Sequence, residues 1–233
     1  MTTSARPLPG DPSPSTLRHL RTAGHVCLVS TLLLFIWLGI VEGKPYDNVW
    51  KLVLAHIVSG RAGNAGLGLE MGFNPFLLFY QCCMQDFIIM FYVYPIFVSG
   101  YQHLAAWPII GPALNNVHEL AIAHKGKIAP YGAAGLIIFV IFPFWSTGPL
   151  VGVIVGYLLG LGAGLTFTAV IIGDIIAVGT WIWAYDLLRK YNPSLAMIVL
   201  IIIFILAIAG IFLRRRSKSR KENSPHPPEM FKK

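Results

Sequence analysis

Asp86 and Asp174 stand 88 residues apart, each near the middle of a long apolar segment. A charged carboxylate at the centre of a membrane-spanning helix costs about 2.5–3.5 kcal/mol on insertion scales, so both are expected to face the protein interior. A carboxyl buried there can load and release a proton near neutral pH, which makes a proton or cation relay the functional expectation. The structural alternative is that each carboxyl caps backbone N–H groups freed by a nearby break in the helices. Arg61 and Glu70 flank one such break. Arg61 can bind an anionic head group or pair with a buried aspartate, or it can form an ion pair with Glu70. Asn64 in the same break, with Ser146, Thr147 and Gly148 in a second one, completes the candidate substrate- or ion-binding set. Gly148-Pro149 either places a helix N-terminus inside the membrane, its N–H groups aimed at a ligand, or is a plain turn.

Other chemistries find little support. His118, Glu119 and His124 lack the spacing of a helical metal pair, and His103 is remote. Ser146 and Thr147 have no nearby His and Asp to make a hydrolase. Cys27, Cys82 and Cys83 lie in apolar stretches without a zinc or redox spacing, and read as small buried hydrophobes. No enzyme activity, metal or cofactor is expected.

The elements that position these residues must be membrane helices. Apolar residues make up 55% of the chain and charged residues 12%, about half the share in a soluble domain. The net charge of +8 sits entirely at the ends: +2 in residues 1–23 and +6 from Arg214 onward, with a neutral middle. Basic ends on an apolar body follow the positive-inside pattern and place both termini in the cytoplasm. A nucleic-acid surface would need a basic face on a folded domain. Four spans are expected, at 26–41, 75–98, 165–188 and 195–213. The Pro-rich residues 1–23 read as a disordered cytoplasmic arm, 24–213 as the membrane domain and 214–233 as a basic cytoplasmic tail.

Two regions suit a full span badly. Residues 131–161 hold two short apolar runs around Phe142-Pro143-Phe144-Trp145-Ser146-Thr147-Gly148-Pro149. Residues 49–72 hold a short helix to Ser59, a turn over Gly60-Arg61-Ala62-Gly63-Asn64, and a second short run to Gly72. Broken backbone at membrane depth needs protein or a watery cavity to satisfy it, so re-entrant hairpins are the economical expectation. Between them, residues 109–127 have the pattern of an amphipathic interfacial helix. Sliding the sequence by 88 residues superposes Gly60 on Gly148, Gly68 on Gly156, Gly72 on Gly160, Leu77 on Leu165 and Asp86 on Asp174. This suggests a repeat (about 49–98 and 131–188) of broken hairpin followed by spanning helix. Threaded through the expected topology, the two copies are inverted, as in many secondary transporters. The fold expected is all-α: a polytopic membrane protein with about four transmembrane helices plus two inverted re-entrant hairpins.

The run 142–152 with Tyr157-Leu158-Leu159-Gly160-Leu161, and Lys125-Gly126-Lys127-Ile128-Ala129-Pro130-Tyr131-Gly132 upstream, resembles the small multi-drug export family of bacterial membrane proteins over roughly residues 60–185. The layout is also similar to that of the DedA-type lipid transporters. The resemblance implies a bacterial inner-membrane exporter of a small organic or amphipathic solute, and the aspartates suggest proton coupling. A lipid flippase or scramblase, with Arg61 handling a phosphate head group, is the alternative, and a non-transporting scaffold is a third. The partners implied are the lipid bilayer, a small solute or lipid, and further copies of the chain in a homo-oligomer, with no nucleic acid.

Overall fold

Ser13 accepts a hydrogen bond from the Thr16 N–H at 3.2 Å, and Pro14 takes the first helical position, so the first helix is capped as helices commonly are. The computed structural model describes residues 12–105, 125–141 and 148–222. The chain order is α1 (Pro14–Val41), a 3-10 turn (Tyr46–Asn48), α2 (Val49–Glu70), α3 (Pro75–Ala105), α4 (Lys125–Ile141), α5 (Gly148–Leu158), α6 (Ala163–Tyr191) and α7 (Pro193–Glu222). The described residues contain no strand.

Three helices are long and apolar enough to cross a hydrocarbon core of about 30 Å: α1, α3 as far as Tyr101, and α6. Val29, Leu33, Ile36, Trp37 and Ile40 of α1 are exposed, as are Ile198, Ile201, Ile202 and Ile205 of α7. Surfaces so uniformly aliphatic are solvated by lipid, and the chain is an all-α membrane protein.

Several boundaries differ from expectation. Residues 14–23, expected in the disordered arm, are helical, because the Ser-Pro start signal outweighs the proline content around it. Helix α7 continues past Arg214 to Glu222, since Arg, Lys and Ser carry little or no helix penalty and nothing there breaks the chain. The first break is one residue wide rather than five: Gly60 alone leaves the helix (φ 68, ψ −160), and Arg61 to Asn64 are already helical again. Each half of α2 is about 15 Å long, half the thickness of a bilayer core. Of the expected interfacial helix, 109–124 lie outside the described residues and 125–127 begin α4.

The 88-residue offset recurs in local geometry. The N–H of Met71 donates to Leu67 at 2.9 Å and that of Phe73 to Gly68 at 3.0 Å; Leu159 to Val155 at 2.9 Å and Leu161 to Gly156 at 3.1 Å repeat the pair. Gly72 (φ 84) and Gly160 (φ 68) supply the left-handed residue that such a helix end requires. The next helices start in register, α3 at Pro75 and α6 at Ala163. Gly68 lies against Leu78 and Gly156 against Thr166, again one offset apart.

Packing interleaves the copies. Helix α2 lies against both α3 and α6, and α5 against both α6 and α3. One apolar cluster contains Leu52, Leu69, Leu78, Val178 and Tyr185; a second contains Met90, Tyr94, Leu136, Val153 and Val170. Helices α3 and α6 run through both clusters. Asp86 falls between Cys83 and Met90 on α3, and Asp174 between Val170 and Val178 on α6. Both aspartates therefore lie at the seam between the two clusters.

Candidate functional site

Arg61 is the first residue after the Gly60 break, and that position carries its side chain into the second copy. Its Nη1 donates to Asp174 Oδ1 at 3.1 Å, and its Nη2 to the Val140 carbonyl at 3.0 Å. Val140 belongs to the last turn of α4, whose carbonyls carry the negative end of the helix dipole, so a cation is well placed there. Gly148, the first residue of α5, lies against the same guanidinium: a Cβ on Gly148 would fall on Arg61 Nη2. Arg61 thus touches both edges of the second break. Its side chain is 9% exposed and that of Asp174 is fully buried.

Asp86 is held differently. Its Oδ1 is 3.0 Å from His56 Nε2, and His56 Nδ1 is 3.0 Å from Asn64 Nδ2. Asn64 Nδ2 also donates to Gln81 Oε1 at 3.0 Å. With Asn64 donating on both sides, His56 Nδ1 accepts, and its Nε2–H is left to donate to Asp86. The chain continues from Gln81 Nε2 to Gln85 Oε1 at 2.7 Å, and from Gln85 Nε2 to the Val53 carbonyl at 3.2 Å. His56, Asn64, Gln81, Asp86 and Asp174 are all buried.

The two aspartate side chains are neighbours, close enough for each carboxyl to feel the other's charge. Among the described residues, Asp86 Oδ2 and Asp174 Oδ2 receive no donor. Two carboxylates side by side repel, and the one guanidinium beside them balances only one negative charge. A single proton between them would give both free oxygens a partner and leave the cluster neutral. The arrangement can therefore take up and release one proton at the crossing of the two breaks.

Of the residues singled out from the sequence, Arg61, Asn64, Asp86, Gly148 and Asp174 converge here. Glu70 does not. It accepts a hydrogen bond from the Tyr185 hydroxyl at 3.1 Å, away from the cluster, so the Arg61–Glu70 ion pair does not form. Ser146 and Thr147 lie outside the described residues. Sequence reasoning missed His56, Gln81, Gln85 and the Val140 carbonyl. A signal for three of them was present, since His56, Gln81 and Gln85 are polar interruptions of apolar helices.

Of the two readings of Gly148, the structure has the helix start and not the plain turn. The residue begins a regular helix, and its lack of a side chain makes room for Arg61. Gly148→Val should displace the guanidinium from Asp174 and cost on the order of 1–3 kcal/mol through overpacking. Gly135 is exposed on α4 with nothing within 4 Å of a Cβ, so Gly135→Val should stay within about 0.5 kcal/mol of the parent. Thermal unfolding in detergent compares the two, and greater damage at Gly135 would contradict this geometry.

No curated protein and no solved structure matches the chain. A family model does match, over residues 62–180, from just after Arg61 to the last third of α6. Asn64, Gln81, Gln85, Asp86, Gly148 and Asp174 lie within that segment; His56 and Arg61 lie just before it. The match covers just over half of the sequence, and the chain belongs to the family described as "Putative small multi-drug export protein".

Proposed function

We propose that the protein is a secondary transporter that exports a small organic or amphipathic solute in exchange for protons, with the Asp86–Asp174 pair as the proton-binding group. The observation that carries this reading is the pairing of two buried carboxyls with one arginine at the point where both helix breaks meet. A purely structural ion pair needs one carboxylate for Arg61, and the second, held by His56, adds a burial cost that such a pair does not require. Membership of an export-named family supports the coarser part, that the protein moves something outward across a membrane.

In this reading the two broken segments, 49–72 and 131–161, are re-entrant hairpins entering from opposite faces. The repeats are inverted, both termini are cytoplasmic, and the membrane is the bacterial inner membrane, consistent with the basic ends. The partners are the bilayer, the solute and further copies of the chain, and the transport cycle uses no enzyme chemistry and no nucleic acid. Substrate release and proton loading alternate because Arg61 neutralises one carboxylate and the proton the other. The flippase reading has less behind it, because Arg61 is already engaged by Asp174 and Val140 and has little capacity for a phosphate.

Counterflow in proteoliposomes tests the proposal across a panel of amphipathic solutes. An imposed pH gradient should drive solute accumulation, and collapsing the gradient should remove it. Accumulation indifferent to the gradient would overturn proton coupling.

A further inference from the structure

The polar groups of the two copies are unequal, and a cavity lies beside those of the first copy. Asp86 and Asp174 correspond, but Asn64, Gln81 and Gln85 face Gly152, Ala169 and Gly173 at the 88-residue offset. At Gly173 the backbone of α4 presses onto α6: a Cβ there would lie 2.9 Å from the Ile137 carbonyl oxygen. At the corresponding Gln85 the α2 backbone is held off by a whole side chain, whose amide reaches the Val53 carbonyl at 3.2 Å. A glycine closes the helix pair in one copy, and a glutamine wedges it apart in the other.

The wedged side contains a cavity of about 340 Å³ between α1, α2 and α3, walled by Leu32, Phe35, Val53 and Ile57 and bordered by Gln81 and Gln85. That volume falls in the range of small-molecule sites. Val53 and Ile57 are 40% and 61% exposed, so the cavity borders the lipid rather than water. Among the described residues, none that lines it is charged. A permanent cation entering here would lose its hydration with no counter-charge. Its polar border is the outer end of the hydrogen-bonded chain Gln85–Gln81–Asn64–His56–Asp86.

We propose that this cavity is a lateral binding site for an uncharged, lipid-soluble molecule with a compact ring or branched hydrocarbon body and one hydrogen-bonding group. The body packs on the apolar walls, and the polar group meets Gln81 or Gln85 at the border. The ligand enters from within the bilayer between α1 and α2. The site names the substrate class for the exporter reading and rests on that reading for its role in transport, though not for its binding.

The test uses radiolabelled N-phenyl-1-naphthylamine, a neutral aromatic amine, with the full chain in lipid nanodiscs and empty discs subtracted. One saturable site is expected in the parent and in Ile201→Phe, a change on the exposed face of α7. Val53→Phe/Ile57→Phe, which fills the cavity, should weaken binding about tenfold or more, equivalent to ~1.4 kcal/mol. Gln85→Leu, which removes the polar border, should weaken it similarly. Binding no greater than to empty discs, as when a lipid chain holds the cavity, would overturn the site. So would binding untouched by both cavity variants. Displacement by tetraphenylphosphonium at equal concentration would overturn the uncharged class. Gradient-driven solute accumulation is measured separately on the parent chain in proteoliposomes. Absence of proton coupling with binding intact therefore removes only the exporter reading, and absence of binding with coupling intact removes only this site.

Discussion

Arg61→Leu is expected to destabilise the protein by about 3–5 kcal/mol. The substitution leaves Asp174 fully buried, with no donor on Oδ1 and none on Oδ2. It also strips the Val140 carbonyl at the α4 terminus of its partner. Asp86 keeps its contact with His56, so the loss is confined to the second copy and to the joint between copies. The companion variant Arg61→Leu/Asp174→Leu should recover most of the loss, because replacing a buried pair by apolar side chains is often neutral. Thermal unfolding in a mild detergent measures both. Near-parental stability of Arg61→Leu alone would mean that Arg61 and Asp174 are not paired in the membrane.

Much of the architecture could be read from glycine and proline placement. Gly60 breaks α2 because it alone takes φ 68 cheaply, and Gly72 and Gly160 end their helices for the same reason. The 88-residue offset was visible because those glycines have backbone duties that no other residue performs as well. Legibility ended where contacts cross large sequence distances. Arg61 reaches Asp174 in the other copy, and nothing local to residue 61 distinguishes that partner from Glu70, nine positions away. The Gln85–Gln81–Asn64–His56 chain was missed for the same reason. Its members sit on two helices, and an isolated glutamine in an apolar segment does not announce its partner. Gly148 could be read as a helix start, but its need for space beside the Arg61 guanidinium could not, because Arg61 lies far away in the chain. The start of α1 was misplaced because four prolines resemble disorder until Ser13-Pro14 is read as a cap.

The central claim is that the aspartate pair binds the coupled proton, and Asp174→Asn tests it most directly. Asn is isosteric, and its carbonyl oxygen can still accept from Arg61, while the guanidinium retains the Asp86 carboxylate nearby as its counter-charge. The variant should therefore fold, and it leaves no second carboxyl with which to share a proton. The measurement is solute flux in proteoliposomes in two modes, solute exchange at equal pH and accumulation driven by a pH gradient. The account predicts that Asp174→Asn keeps exchange and loses gradient-driven accumulation. Gradient-driven accumulation equal to that of the parent chain would contradict it and reduce Asp174 to the structural partner of Arg61.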